Sequence, residues 1–352
     1  MNPDLPKFPR CQTASPARRS MNQVRLEPQG PFKRDPLAPH RMCDRLTRTQ
    51  DVFILCHLGV PRIERAQWSL TIDGLVEHPR TLRFDDLARY PKSELTSVHQ
   101  CCGSPLSPFE PTRRVCNLRW GGVWLVDVLA DCQPSTTAQY VWSHGADSGE
   151  FSGVVVDAFL KDLPMARAEG DVLIAYEMNG NALPAEHGFP ARLVVPGFYG
   201  TNSVKWLTRI TLSESRAAGP FTTRWYNDPV LDDSSGETGK VIPVWSIAPE
   251  SVIVSPTPHE KIELSSKREI WGWAWADGGV RNLHVRTDDA GIWQLAELEP
   301  PCGRAWQRFW LRWTPKQRGD VALASRAEAL NGSLQPISGR RNAIHSVAVS
   351  II

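Results

Sequence analysis

The sequence predicts an α+β protein: a mixed domain of strands and few helices over residues 46–235, then an all-β, immunoglobulin-like sandwich over 245–352. Three observations predict it. The chain has 352 residues, enough for two sizeable cores. Its composition breaks at residues 227–240, where Asp, Ser and Gly gather around Pro229 and read as a linker. Beyond that break, short strand patterns recur at close intervals, as in a sandwich.

In chain order, residues 1–45 read as a disordered basic tail. The first 50 residues hold ten Lys and Arg against four acids, with eight prolines interspersed. Residues 51–60 read as a strand ending at Gly59-Val60-Pro61, and 68–75 alternate apolar and polar as a strand does. Residues 82–90 read as a short helix with Asp85 and Asp86 at its start. Residues 95–101 form a strand entering a Pro-rich loop over 105–111, and 123–129 start a helix. Residues 140–143 and 153–156 are strand-like, with antiparallel connections expected because intervening helices are few. Residues 191–195, an apolar run between Pro190 and Pro196, read as a buried strand. After the linker, strands are expected at 251–254, 270–276, 283–287, 306–313 and 343–352. Trp271, Trp273 and Trp275 alternate, which puts three indoles on one sheet face. Packing is the plain explanation and carbohydrate stacking the sharper one.

A net charge of +2 gives no global case for nucleic-acid binding. No apolar run approaches membrane-spanning length. Arg18-Arg19 suggests a twin-arginine export signal, but Ser20-Met21-Asn22-Gln23-Val24-Arg25 supplies no hydrophobic segment, so a cytoplasmic location is expected. Eight scattered cysteines without a CxxC pair read as reduced, mostly buried residues rather than a disulfide framework.

Chemistry concentrates in residues 176–207. Asn179-Gly180-Asn181 marks a turn between short strands, and Gly197 and Gly200 allow backbone to approach a ligand. His187, Arg192 and Lys205 flank that loop and suit a phosphate clamp. On pattern alone, the two cations read as solvated surface charges and His187 as a turn cap. Upstream, Val98-His99-Gln100-Cys101-Cys102-Gly103 holds two adjacent cysteines. A core cysteine at a strand end is the ordinary reading of Cys101. Zinc on His99, Cys101 and Cys102 is disfavoured, because neighbours on a strand face opposite ways and no fourth ligand has finger-like spacing. By the same alternation Cys102 is expected on the opposite face, in a structural role.

Taken together, these segments resemble the sulfite oxidase family of molybdopterin-dependent oxidoreductases. The resemblance covers residues 51–352. It is carried by residues 176–207, by Gln100-Cys101-Cys102-Gly103 against the family's Gln-Cys-x-Gly, by residues 118–129, and by Phe53-Ile54-Leu55-Cys56-His57. It implies a sulfite-oxidase-type cofactor domain followed by a dimerisation domain, and an enzyme of oxygen-atom transfer. It places Cys101 as molybdenum ligand, where a thiolate suits a soft metal. It places His57, Asp147, His187, Arg192, Ser203 and Lys205 around a single pyranopterin, and Tyr226 as the active-site tyrosine. It further implies a homodimer and a separate electron carrier such as a cytochrome. The competing class is a non-catalytic scaffold that binds the cofactor, a protein or a glycan.

The chain departs from the family at three substrate arginines. Leu55 stands at the first, Ser104-Pro105-Leu106 replaces Asn-Arg-Arg, and Ile337 falls near the third. A dianion such as sulfite is held by converging guanidinium forks, so a neutral or organic oxygen-atom donor or acceptor is expected instead. Arg113, Arg114, Arg340 and Arg341 are the candidate replacements, each also readable as ordinary surface charge.

Overall fold

The computed structural model describes residues 24–103, 113–232, 236–287 and 291–352. Strands dominate. The α-helices among the described residues are Phe84–Leu87, Leu125–Ala130, Met165–Ala168 and Pro220–Thr223. Both expected helices begin late, because sheet pairing claims their first residues. Leu82 pairs with Leu70 in strand Arg80–Arg83, and Val123 pairs with Ile174 in strand Val115–Trp124. Both are buried there, and burial of apolar area outweighs a few tenths of a kcal/mol of helix propensity.

Two sheets share the first core. One runs in the order Leu160–Pro164, Tyr140–Gly145, Leu207–Ser213, Ser69–Gly74, Arg80–Arg83, with its single parallel pair between Leu207–Ser213 and Ser69–Gly74. The other runs Asn181–Ala182, Leu173–Met178, Val115–Trp124, Ser93–Gln100, and Arg192–Val194 also pairs with Leu173–Met178. Leu70, Ile72, Leu207 and Ile210 meet Val123, Ile174 and Leu193 between them. The turn at Asn179-Gly180 has both residues at positive φ, +53° and +81°, as its Asn-Gly sequence anticipates.

The C-terminal part is two facing sheets. Glu250–Ser255, Arg268–Trp275, Gln307–Trp313 and Glu297–Leu298 form one; Lys261–Ile262, His345–Ile351, Gly319–Ala329, Val280–Arg286 and Trp293–Leu295 form the other. Ile253, Ile270, Ala274 and Phe309 pack against Leu283, Leu323, Ala327 and Val347. The three indoles of Trp271, Trp273 and Trp275 do share a face, but not the face in that core. They point away from it, onto Met42, Val98, Val115, Tyr199 and Val244 of the first part. Trp273 Nε1 donates to the Met42 carbonyl at 2.6 Å, and Trp275 Nε1 to Gln100 Oε1 at 2.8 Å. The stripe is the interface between the two parts.

Two expectations need correction. The tail is not disordered throughout: Leu26–Gln29 pairs with Gly59–Pro61, and Phe32–Arg34 with Ile54–Cys56. Its partners lie tens of residues away, so local composition could not reveal them. Residues 1–23, with Arg18-Arg19, lie outside the described residues. The 227–240 segment is not a free linker either: Asn227–Asp232 and Gly236–Pro243 pair antiparallel, anchored where Arg341 grips Asp228 with two bonds of 2.7 and 2.8 Å. No helix among the described residues is long and apolar enough to cross a membrane.

One buried histidine gives the fold an acid sensitivity. His345 is 5% exposed and its Nδ1 accepts the Ile253 N–H at 2.9 Å. Burial, then the nearby Arg113 and His40 charges, lower its pKa to about 3. Below its unfolded value of about 6.5, the unfolded chain takes up a proton that the folded chain refuses. Its contribution is whole above that value and is lost as pH falls toward about 3, at up to about 1.4 kcal/mol per pH unit. His345→Asn is expected to flatten the fall in stability below pH ~6.5 by that slope, measured by urea titration across the acid range; identical slopes would show that His345 is not held neutral.

Candidate functional site

Loops at the ends of these strands enclose one cleft of about 780 Å³ of empty space, counting its open mouth, within the range of cofactor sites. His57, Cys101, Asp147, His187, Arg192, Ser203, Lys205 and Tyr226, dispersed over 170 residues of sequence, all line it.

One pole is cationic. Arg192 is 2% exposed, and its guanidinium donates to the carbonyls of Leu193 at 3.3 Å, His187 at 3.1 Å and Ser203 at 2.9 Å while lying over the Trp120 ring. Lys205 Nζ donates to the carbonyls of Leu55 at 3.2 Å and Glu186 at 3.1 Å and to Cys56 Sγ at 2.8 Å. Among the described residues, neither cation has a carboxylate in ion-pair contact. Burial lowers the pKa of both, Arg192 to about 10. A buried and a half-buried cation with no carboxylate in ion-pair contact favour an anion between them. His187 Nε2 and Asp147 Oδ1 are buried without a hydrogen-bond partner. Burial drives His187 down to about 3 and, against the pull of Lys205, lifts Asp147 to about 7. Ser203 Oγ accepts the Val195 N–H at 3.0 Å, leaving its own hydrogen free. Gly188, at φ +109°, lets the backbone turn here; a Cβ would lie 3.0 Å from that of Arg192 and 3.2 Å from that of Lys205.

The other pole carries the two thiols. Strand Ser93–Gln100 ends before Cys101, so strand alternation no longer applies, and Cys102 lines the same cleft. The expected opposite-face position of Cys102 is therefore corrected. A hydrogen bond from the Cys102 thiol, opposed by burial and helped by the Gly103 N–H at 3.4 Å and the charges of Arg114 and Arg341, holds the Cys101 thiol below its ordinary value, while Cys102 is pushed far up. A lowered thiol is the ionisation a metal ligand needs. Tyr226 stands beside them at φ +60°, a strained conformation for an aromatic residue. Its hydroxyl shares a 2.5 Å hydrogen bond with His57 Nε2, and burial keeps that imidazole neutral, with a pKa near 4.

The candidate arginines separate. Arg113 is 1% exposed, ion-paired with Glu250 at 3.3 Å and bonded to the carbonyls of Ala343 and Ile344, so it braces the interface. Arg341 is committed to Asp228. Arg114 donates to the Gly103 carbonyl at 2.9 Å, and Arg340 is exposed. Leu55 lines the cleft and Ile337 is 53% exposed. Ser104, Pro105 and Leu106 lie outside the described residues. Sequence reasoning missed Cys56, and weighed His99 only for zinc. Both line the cleft, and Cys56 could have been found as the neighbour of His57. No cluster of three or more His, Cys, Asp or Glu among the described residues has metal-site geometry.

Comparison with known proteins adds to this geometry. The oxidoreductase molybdopterin binding domain model matches residues 57–221, and the Mo-co oxidoreductase dimerisation domain model matches residues 242–336. The sulfite oxidase of Gallus gallus is 31% identical over 347 residues, covering 90% of this chain and 73% of that protein. The mitochondrial sulfite oxidase of Macaca fascicularis is 31% identical over 351 residues, covering 92% of this chain but 63% of that protein, so the chain spans under two thirds of its length. The crystal structure of the sulfane dehydrogenase SoxCD from Paracoccus pantotrophus superposes with a TM-score of 0.75 at 24% identity, over 97% of this chain and 96% of that one. That likeness shows the fold.

Proposed function

Because the chain belongs to the sulfite oxidase family of molybdopterin-binding oxidoreductases, we propose that it is an enzyme that moves an oxygen atom to or from a small substrate at a single-pyranopterin molybdenum cofactor. The observation that carries this is that two cations without a carboxylate in ion-pair contact and a lowered thiol line one cleft. The donor set fits the group. Arg192 and Lys205 lack an anion, and His187 Nε2 and Asp147 Oδ1 lack hydrogen-bonding partners. When bound, the cofactor supplies two-electron oxygen-atom exchange with water. Arg192 and Lys205 would hold its phosphate, with the Ser203 hydroxyl as a further donor. His187 and Asp147 would meet the ring's polar edge, and the Cys101 thiolate would ligate the metal. Neutral His57 admits a tautomer whose Nε2–H donates to the Tyr226 oxygen, which frees the phenol hydrogen for a substrate oxygen.

Leu55 at the cleft wall supports a substrate other than a dianion gripped by converging arginines, such as a sulfoxide or N-oxide. The dimerisation-domain match supports a homodimer through an immunoglobulin-like sandwich, and a separate carrier such as a cytochrome would exchange the electrons, in the cytoplasm. The test is elemental and pterin analysis of protein from molybdate-supplemented cells beside Arg192→Met. Stoichiometric molybdenum is expected in the parent, with cofactor affinity reduced by at least about 10–100-fold in the variant. A parent without molybdenum from a competent host would return the chain to the scaffold class.

A further inference from the structure

Lys161 is a buried cation that the proposed chemistry leaves unused. It is 1% exposed, in strand Leu160–Pro164, and its Nζ donates to the Phe221 carbonyl at 3.1 Å. The neighbouring carboxylate offsets it only in part and from a distance. Asp162 is taken by Arg216 through bonds of 2.9 and 3.0 Å and by the Ala217 N–H at 3.1 Å. Among the described residues, Lys161 has no carboxylate in ion-pair contact. Its ammonium lies 5.4 Å from the Tyr226 ring centroid, and its charge acts on Cys102. Burial lowers it to about 8, with Asp162 opposing. A desolvated lysine behind a strained tyrosine is expensive unless something uses its field.

We propose that Lys161 is a positioning residue that holds Tyr226 in place and biases this end of the cleft toward the dipolar oxygen of a sulfoxide or N-oxide. The inference rests on the oxygen-atom-transfer reading. Such substrates are neutral overall, yet their oxygen carries a large partial negative charge. One cation sealed behind a phenol donor matches that dipole, whereas a dianion would need the forked arginines that Leu55 and Ile337 do not supply. In the reaction the S–O or N–O bond breaks, two electrons from a reduced carrier and two protons enter, and water leaves with the sulfide or amine. Negative charge grows on the departing oxygen, so the Lys161–Tyr226 pair acts most strongly in the transition state.

The test compares the parent protein, Lys161→Met and Lys161→Arg, each first assayed for molybdenum. Dimethyl sulfoxide and trimethylamine N-oxide reduction is followed with a reduced viologen dye. Lys161→Met is expected to lower kcat by about tenfold or more with KM within about threefold, and Lys161→Arg to recover most of the loss. Binding of dimethyl sulfone, an inert dipolar analogue, is measured by calorimetry on the metal-free protein, where Lys161→Met is expected to weaken it and Lys161→Arg to restore it. Unchanged kcat and sulfone affinity in Lys161→Met, or an equal loss in both variants, would overturn the proposal. Parent protein without molybdenum, or with no oxygen-donor turnover, would instead defeat the oxygen-transfer reading, and the sulfone measurement would still decide the role of Lys161.

Discussion

Replacing Cys101 by serine is expected to strip the protein of its metal-dependent visible absorption and to lower turnover by more than about 100-fold, the upper end for residues that merely support a metal site. The argument is chemical. Cys101 and Cys102 both line the cleft, but only Cys101 has its thiol lowered, through the Cys102 thiol, the Gly103 N–H and the charges of Arg114 and Arg341. A thiolate is the form that binds a metal, and a serine hydroxyl stays protonated in the same field. Cys102→Ser is expected to keep the molybdenum, because the Cys102 thiol is pushed up and remains protonated. Elemental analysis and absorption spectra of both variants decide the matter. Metal retained in Cys101→Ser and lost in Cys102→Ser would reverse the two assignments and sink the role given to Cys101.

The second large effect lies where the two parts meet. Glu250→Ala is expected to cost about 3–5 kcal/mol, because it removes the carboxylate from a fully buried ion pair and leaves the Arg113 guanidinium in the interior. Burial lifts the Glu250 carboxyl to about 7, with Arg113 opposing, so the pair is held at a cost that its surroundings must offset. The loss reaches the site through Gln100, whose amide donates to Glu250 and to Asn342 Oδ1 at 3.1 Å, and whose Oε1 accepts from Trp275. Gln100 immediately precedes Cys101, so the C-terminal sheets help set the backbone that presents the ligand. A melting point lower by about 10 °C is expected for a chain of this size, with metal lost in parallel. The double variant Arg113→Met/Glu250→Leu should regain much of the stability, since apolar residues of similar volume replace buried pairs at little cost. A Glu250→Ala melting point within a degree or two of the parent would refute the interface's role.

The turns around the cleft were legible from local spacing, whereas its cofactor residues were legible only through the resemblance to the family, since on pattern alone His187, Arg192 and Lys205 read as a turn cap and surface charges. Asn179-Gly180 demands a tight turn, Gly188 and the prolines punctuate short strands, and Cys101 sits in a compact motif. What misled was inference from local composition or alternation carried past its range. Cys102 was placed across a strand that had already ended at Gln100. The Pro-rich residues 24–45 looked unstructured because their pairing partners are remote, and the polar residues 227–240 because their composition does not mark the local hairpin they form. Lys161, in Phe159-Leu160-Lys161-Asp162-Leu163, has nothing in its neighbourhood to separate a solvated surface charge from a sealed one.

By itself the sequence determined that a tight turn falls at Asn179-Gly180, that strands rather than long helices follow the composition break, and that three indoles share a face. Those are properties of spacing, and spacing along one strand or turn is set by backbone geometry. Only the tertiary structure decided what that face packs against, which of the two adjacent thiols its neighbours lower, which arginines brace the interface, and which lysine lies behind the tyrosine. Each of those depends on burial and on charges brought together from distant segments, so each is a property of the assembled cleft.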